Sequence, residues 1–219
     1  MATKPASSNE MLTVSEAREI IQSAVRTRPA KAAALMEALD CVLAQDVTSP
    51  INLPLWDNSM VDGYAVHSSD VGDASENNPI HLHVTATVPA GTAAGARLEP
   101  RTCVRIFTGA PIPEGANAVV MQEDTHPHHE GYIAVEESVE SGENIRRVGD
   151  DVRKDEVVLH SGMLLGPAQL GMAAAVGLTQ LMAYPQPRVG VLVTGAEIIE
   201  PGQPLSAGQI YDANSYSKI

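Results

Sequence analysis

The chain has 219 residues, 44% of them hydrophobic but only 3% aromatic, so its core must be built from aliphatic side chains. With 27 acidic against 14 basic residues the net charge is −13, which excludes the basic footprint needed to neutralise many phosphates, and nucleic acid is not an expected partner. No apolar leader or run of about 18 apolar residues occurs, so a soluble, cytoplasmic protein with no membrane partner is expected.

From the start of the chain, residues 1–10 are polar and expected to fray. Thr13 and Glu16 form a T-x-x-E capping box ahead of Val14, Ala17, Ile20, Ile21, Ala24 and Val25, which predicts a helix with one buried face. Leu35, Leu39, Val42 and Leu43 suggest a second helix ending before Ser49 and Pro50. Between 51 and 144 the texture is of short strands separated by Gly and Pro, a β-rich region. Its clearest strand is 81–88, where Leu82, Val84, Ala86 and Val88 alternate with His81, His83, Thr85 and Thr87. Shorter strands are expected at 103–107, 118–123 and 132–136, and the HPHH run from His126 to His129 reads as a solvated hairpin loop. Pro167 and Gly177 bracket a third helix, followed by a strand at 179–183. Residues 188–194, RVGVLVT, are apolar on both faces, as in a strand of a parallel sheet, yet few residues follow to cover it. The two cysteines, Cys41 and Cys103, lack CxxC spacing and are expected to be reduced, buried thiols.

Four strings could carry chemistry. In PLWDNSMVDGYAV, Asp57, Asn58, Ser59 and Asp62 crowd into one loop; it is either a local Asx-turn or a rigid mount for Asp62 as a cation-binding or water-orienting carboxylate. In RIFTGAP, Thr108, Gly109 and Ala110 end a strand with a hydroxyl and backbone amides that suit an oxyanion, or simply form a turn. GENIRRVGDD holds adjacent Arg146 and Arg147, which on an extended segment point to opposite faces, so one can serve a ligand while the other offsets Asp150 and Asp151, or the whole string is a solvated salt-bridge cluster. VLVTGAE delivers Glu197 at the carboxyl end of a strand, with Asp212 downstream in GQIYDANSY.

In this order the four strings resemble the molybdopterin molybdenumtransferase family, to which the gephyrin C-terminal domain is similar, over about residues 11–216. The resemblance implies a multidomain α+β chain: a discontinuous linker domain at 11–50 and 145–187, an inserted β-rich domain at 51–144, and the incomplete start of an α/β molybdopterin-binding domain at 188–219. It implies magnesium-dependent insertion of molybdate into adenylylated molybdopterin with release of AMP, and a homodimer that meets the molybdopterin adenylyltransferase. Asp62, Thr108, Asp151 and Glu197 would be the catalytic set and Asp62 and Glu197 the metal ligands, with Ser59, Gly109, Arg146, Arg147 and Asp212 binding substrate. The present chain, lacking the later loops of the third domain, is expected to be inactive alone. Two departures stand out: Met60–Val61 where the family reads Ala-Met, and Ala196 where it reads Asp. The alternative function is a non-catalytic assembly or scaffolding module of gephyrin type.

Overall fold

The computed structural model describes residues 11–92, 95 and 97–217, which fall into two compact units, 31–183 and the flanks 1–30 with 184–219. The expected fraying of residues 1–10 lies outside the described residues. Within the larger unit the dominant feature is a six-stranded mixed sheet, in the spatial order Ala118–Met121, Gly63–Val66, Thr102–Ile106, Ile80–Val88, Tyr132–Val135, Thr125–Pro127. Only the 80–88 and 102–106 pair is parallel; the other neighbours are antiparallel.

Both faces of this sheet are covered. Val66, Leu82, Cys103, Val120 and Val135 pack into one cluster, and Ala65, Val88, Val104, Ile106 and Val119 into another. The even-numbered stripe of 80–88 serves both, because the ladder slips by one residue between Val84 and Ala86: Val84 lies opposite Cys103, and Ala86 opposite Val104. A bulge there turns the same alternation from one core to the other. Both cysteines are free and buried, and burial pushes the Cys103 thiol up to about 12, leaving it inert.

A third cluster lies off the sheet. Leu170 and Ala173 of α2 (Pro167–Ala175) pack with Leu43, Leu159, Leu165 and Leu181; the start of the helix carries Pro167 and its end is closed by Gly177 at φ +83°. Here the expected second helix is not formed. Residues 31–34 are a strand paired with Gln180–Ala183, only Leu35–Ala38 make a 3-10 turn, and Val42–Leu43 return to strand. The apolar positions that looked helical alternate between buried Leu43 and exposed Leu39 and Val42 once the strand 180–184 offers ladder partners.

The capping box is present, with the Thr13 hydroxyl accepting from the Glu16 amide and Glu16 returning to the Thr13 amide, and α1 spans Val14–Ala24. Its expected buried face is not buried: no residue of the helix is, and Val14 is 80% exposed. Nor do residues 188–194 form a strand; Val189 and Leu192 are exposed, because an apolar strand needs ladder neighbours that no described segment supplies. Instead Ile198–Ile199 and Ile210–Tyr211 make a two-residue parallel pair. Among the described residues no helix is long and apolar enough to cross a membrane.

Candidate functional site

The antiparallel ladder of Gly63–Val66 with Thr102–Ile106 sets Asp62, just before one strand, beside Thr108, just after the other. The Thr108 amide and hydroxyl both donate to Oδ1 of Asp62 at 2.8 Å. These two bonds, more than the nearby Arg105 charge, hold the Asp62 carboxyl below the usual carboxylate range, so it is ionised at neutral pH. Gly63 permits a close approach on the other side, to strand 118–121: a Cβ there would lie 2.0 Å from the carbonyl oxygen of Val120. Arg105 sits over the rings of Tyr64 and Phe107 at about 5 Å and donates to the Gln122 side chain.

The D-N-S segment is stitched between two loops. Ser59 N–H donates to Ala110 O, Gly109 N–H donates to Ser59 O, and Asn58–Ser59 pair antiparallel with Ile145–Arg146. The Asp57 carboxylate accepts from the Arg147 guanidinium at 2.7 Å and from the Val148 amide at 2.8 Å. Burial alone would raise the Asp57 pKa, but the Val148 and Arg147 bonds together hold it low. Arg146, on the other side of the same segment, is paired with Asp151, chiefly through a hydrogen bond that raises its pKa further. For Asp57 and Asp62 the stability gained by ionisation is complete above the unfolded carboxylate range and is lost as pH falls through the depressed folded value.

Asn58, Ser59, Met60, Thr108, Gly109 and Arg146 enclose a cleft of about 320 Å³. A wider groove of about 580 Å³, edged by His67, Asp70, Arg97 and Glu99, gathers none of the four motifs.

This arrangement can be set beside known proteins. The profile described as the MoeA N-terminal region (domain I and II) matches residues 12–177. The chain belongs to the MoeA N-terminal family. Among curated relatives, molybdopterin molybdenumtransferase 2 of Mycobacterium tuberculosis is 42% identical over 205 residues, covering 94% of this chain and 50% of the relative. The molybdopterin molybdenumtransferase of Haemophilus influenzae is 43% identical over 183 residues, covering 84% and 44% respectively. A crystal structure of the molybdopterin biosynthesis moeA protein of Pyrococcus horikoshii OT3 superposes with a TM-score of 0.79 at 35% identity, over 95% of this chain and 55% of that one. The chain thus spans about half the length of the relatives it matches.

Of the residues singled out in the sequence, the MoeA fold brings Asp62 to Thr108, and Ser59, Gly109 and Arg146 to one cleft. Ser59 is buried, with its hydroxyl bonded to Val61 O, and the amides of Thr108, Gly109 and Ala110 already donate to Asp62 Oδ1, Ser59 O and Phe107 O respectively. The backbone amides that suggested an oxyanion seat therefore build the turn, and Gly109 takes φ +81° within it. Arg147 is held by Asp57 and Asp151 by Arg146. Glu197 and Asp212 belong to the flanking unit; Glu197 is exposed, and the Asp212 carboxylate caps α3 (Asn214–Ser217) through Ser215, which lowers its pKa.

Two neighbours of the site were missed. Asp57 was seen only as one of a polar cluster, and its partner lies 90 residues away. Arg105 could have been found by laying G-Y-A against V-R-I as antiparallel strands, which puts Arg105 opposite Tyr64.

Proposed function

We propose that this chain serves molybdenum cofactor assembly as the N-terminal portion of a molybdopterin molybdenumtransferase, which inserts molybdate into adenylylated molybdopterin with release of AMP. The observation that carries this reading is the Asp62–Thr108 pair: an ionised, half-buried carboxylate fixed by two donors, next to a cleft holding Arg146, in a chain whose relatives bear that name. Asp62 orients water or a cation, Arg146 meets the anionic substrate, and Glu197 acts from the third domain beginning near 188, beyond the linker segments 11–50 and 145–187 and the insert 51–144.

Magnesium fits these residues in part. Asp62 offers one carboxylate, and Mg²⁺ accepts one or two carboxylates with substrate phosphates and several waters. Among the described residues no group of three His, Cys, Asp or Glu could hold a metal ion. When bound, the cation supplies charge neutralisation at phosphate oxygens. The apolar face of α1, exposed at Val14, Ile20 and Ile21, supports a homodimer.

The test is a chimera in which residues 1–219 replace the matching half of the Haemophilus influenzae relative. Molybdate insertion by the chimera, and none by residues 1–219 alone, is the expected result. A folded chimera that binds adenylylated molybdopterin but never inserts molybdate would reject the reading.

A further inference from the structure

We propose that Asp151 is a positioning residue for Arg146, and that the Arg146 guanidinium is the group with which the cleft receives a phosphate-type oxyanion. The inference deepens the reading above and rests on it only for the identity of the physiological anion.

Around the cleft, Thr108 N–H and O–H end on Asp62, Gly109 N–H on Ser59 O, Met60 N–H on Asn144 O, Ser59 O–H on Val61 O, and the Asn58 side-chain amide donates to Trp56 O at 3.4 Å. Arg147 is committed to Asp57, on the opposite side of the segment from Arg146. What remains is Arg146, which carries five N–H donors and bonds Asp151 through Nη2. It is the cation among the residues that line the cleft.

Its backbone is fixed: Arg146 pairs with Asn58 across the two-residue ladder, over buried Ile145. Its side chain is long, half exposed, and held by the ion pair to Asp151. Asp151 is itself anchored, since its amide donates to Leu53 O and Val152 N–H donates to the same oxygen. A carboxylate in this place has two opposed effects on a bound anion. It aims the guanidinium, which favours binding, and it repels the anion, which opposes it. The anchoring favours aim: Asp151 holds Nη2 of a planar fork whose residue lines the cleft, which leaves the remaining donors of Arg146 for a ligand.

The experiment is calorimetric titration of the 219-residue chain with inorganic pyrophosphate, with and without Mg²⁺, for the parent, Arg146→Gln, Asp151→Asn and the double variant. Thermal melts monitor folding, and Arg146→Lys serves as a conservative variant. Positioning predicts that Arg146→Gln weakens binding on the order of tenfold. It predicts that Asp151→Asn also weakens binding, and that the double variant binds no worse than Arg146→Gln alone, with or without Mg²⁺. Arg146→Lys should recover only part of the affinity, since a point charge cannot be held by one edge and bind with the other.

Tighter binding by Asp151→Asn would show a mere counter-charge and overturn the inference. Additive losses, or a loss seen only with Mg²⁺, would make Asp151 a direct ligand and overturn it too, as would the absence of pyrophosphate binding. An active chimera with pyrophosphate affinity indifferent to Arg146 and Asp151 sinks this inference alone. Non-additive variants with an inert chimera sink the functional reading alone.

Discussion

Because both Thr108 donors end on Oδ1 of Asp62, the charge of this residue and its loop-holding bonds can be separated by substitution. Asp62→Asn keeps an acceptor oxygen of the same shape, so in the chimera turnover should fall on the order of tenfold or more while the melting temperature stays close to the parent's. Asp62→Ala removes the acceptor as well and should lower both. If Asp62→Asn retained turnover but melted several degrees lower, the carboxylate would be a turn-former and nothing more. Gly63→Ala is the companion test, because its Cβ would meet backbone at 2.0 Å and must push the strands apart, at a cost of about 1–3 kcal/mol or more. At this scale the sequence suggests for Gly63 either a special backbone conformation or a close approach, and the structure shows the close approach, to the Val120 carbonyl. The sequence does not show that Thr108 is the partner of Asp62, because that bond spans 46 residues and depends on which strands pair.

At the scale of elements the alternation of 81–88 and the short runs 103–107 and 132–136 point to strands that form at Ile80–Val88, Thr102–Ile106 and Tyr132–Val135, whereas the helix expected over Leu35–Leu43 does not form, because isolated apolar spacing cannot say whether a ladder partner exists elsewhere. The HPHH run was read as a solvated loop, and its hairpin placement holds for the exposed His128 and His129. It also carries ring contacts that no local pattern reveals: His128 stacks on His81 at 3.8 Å, His129 lies on Tyr132, and His126 meets Glu136 at 3.1 Å. Loss of hydration in the stack, then the nearby His81 and His129, hold the His128 pKa below its usual value. A histidine with a lowered folded pKa takes up its proton more readily in the unfolded chain, so the stack loses stability as pH falls through the unfolded value near ~6.5 and the full loss is reached below the folded value. Carbon-detected NMR titration of the imidazoles should give His128 a midpoint below that of a free imidazole, and His81→Gln should raise it. A His128 midpoint unchanged by that substitution would mean that the stack has no electrostatic consequence.

Every buried side chain of the three hydrophobic clusters lies between Ala38 and Ala183, within the larger unit 31–183. Full burial of a Val, Leu or Ile contributes about 1.5–3 kcal/mol, and the described flanks contribute no such residue: no residue of α1 is buried, and Val189 and Leu192 are open to water. The hydrophobic pattern of these flanks marks surfaces suited to cover by other chain, which is why the expected buried helix face and buried strand were legible as apolar but not as paired. Trimming to residues 31–183 should therefore leave a cooperative unit whose melting temperature lies within a few degrees of the 219-residue chain. Amide exchange should agree, with slow protons in the 63–66, 80–88, 102–106 and 118–121 strands and fast ones from 188 to 194. The two measurements are independent of any ligand. A trimmed chain that fails to melt cooperatively, or slow exchange across 188–194 in the longer one, would show that the flanks share the core, and the division between the units would have to be redrawn.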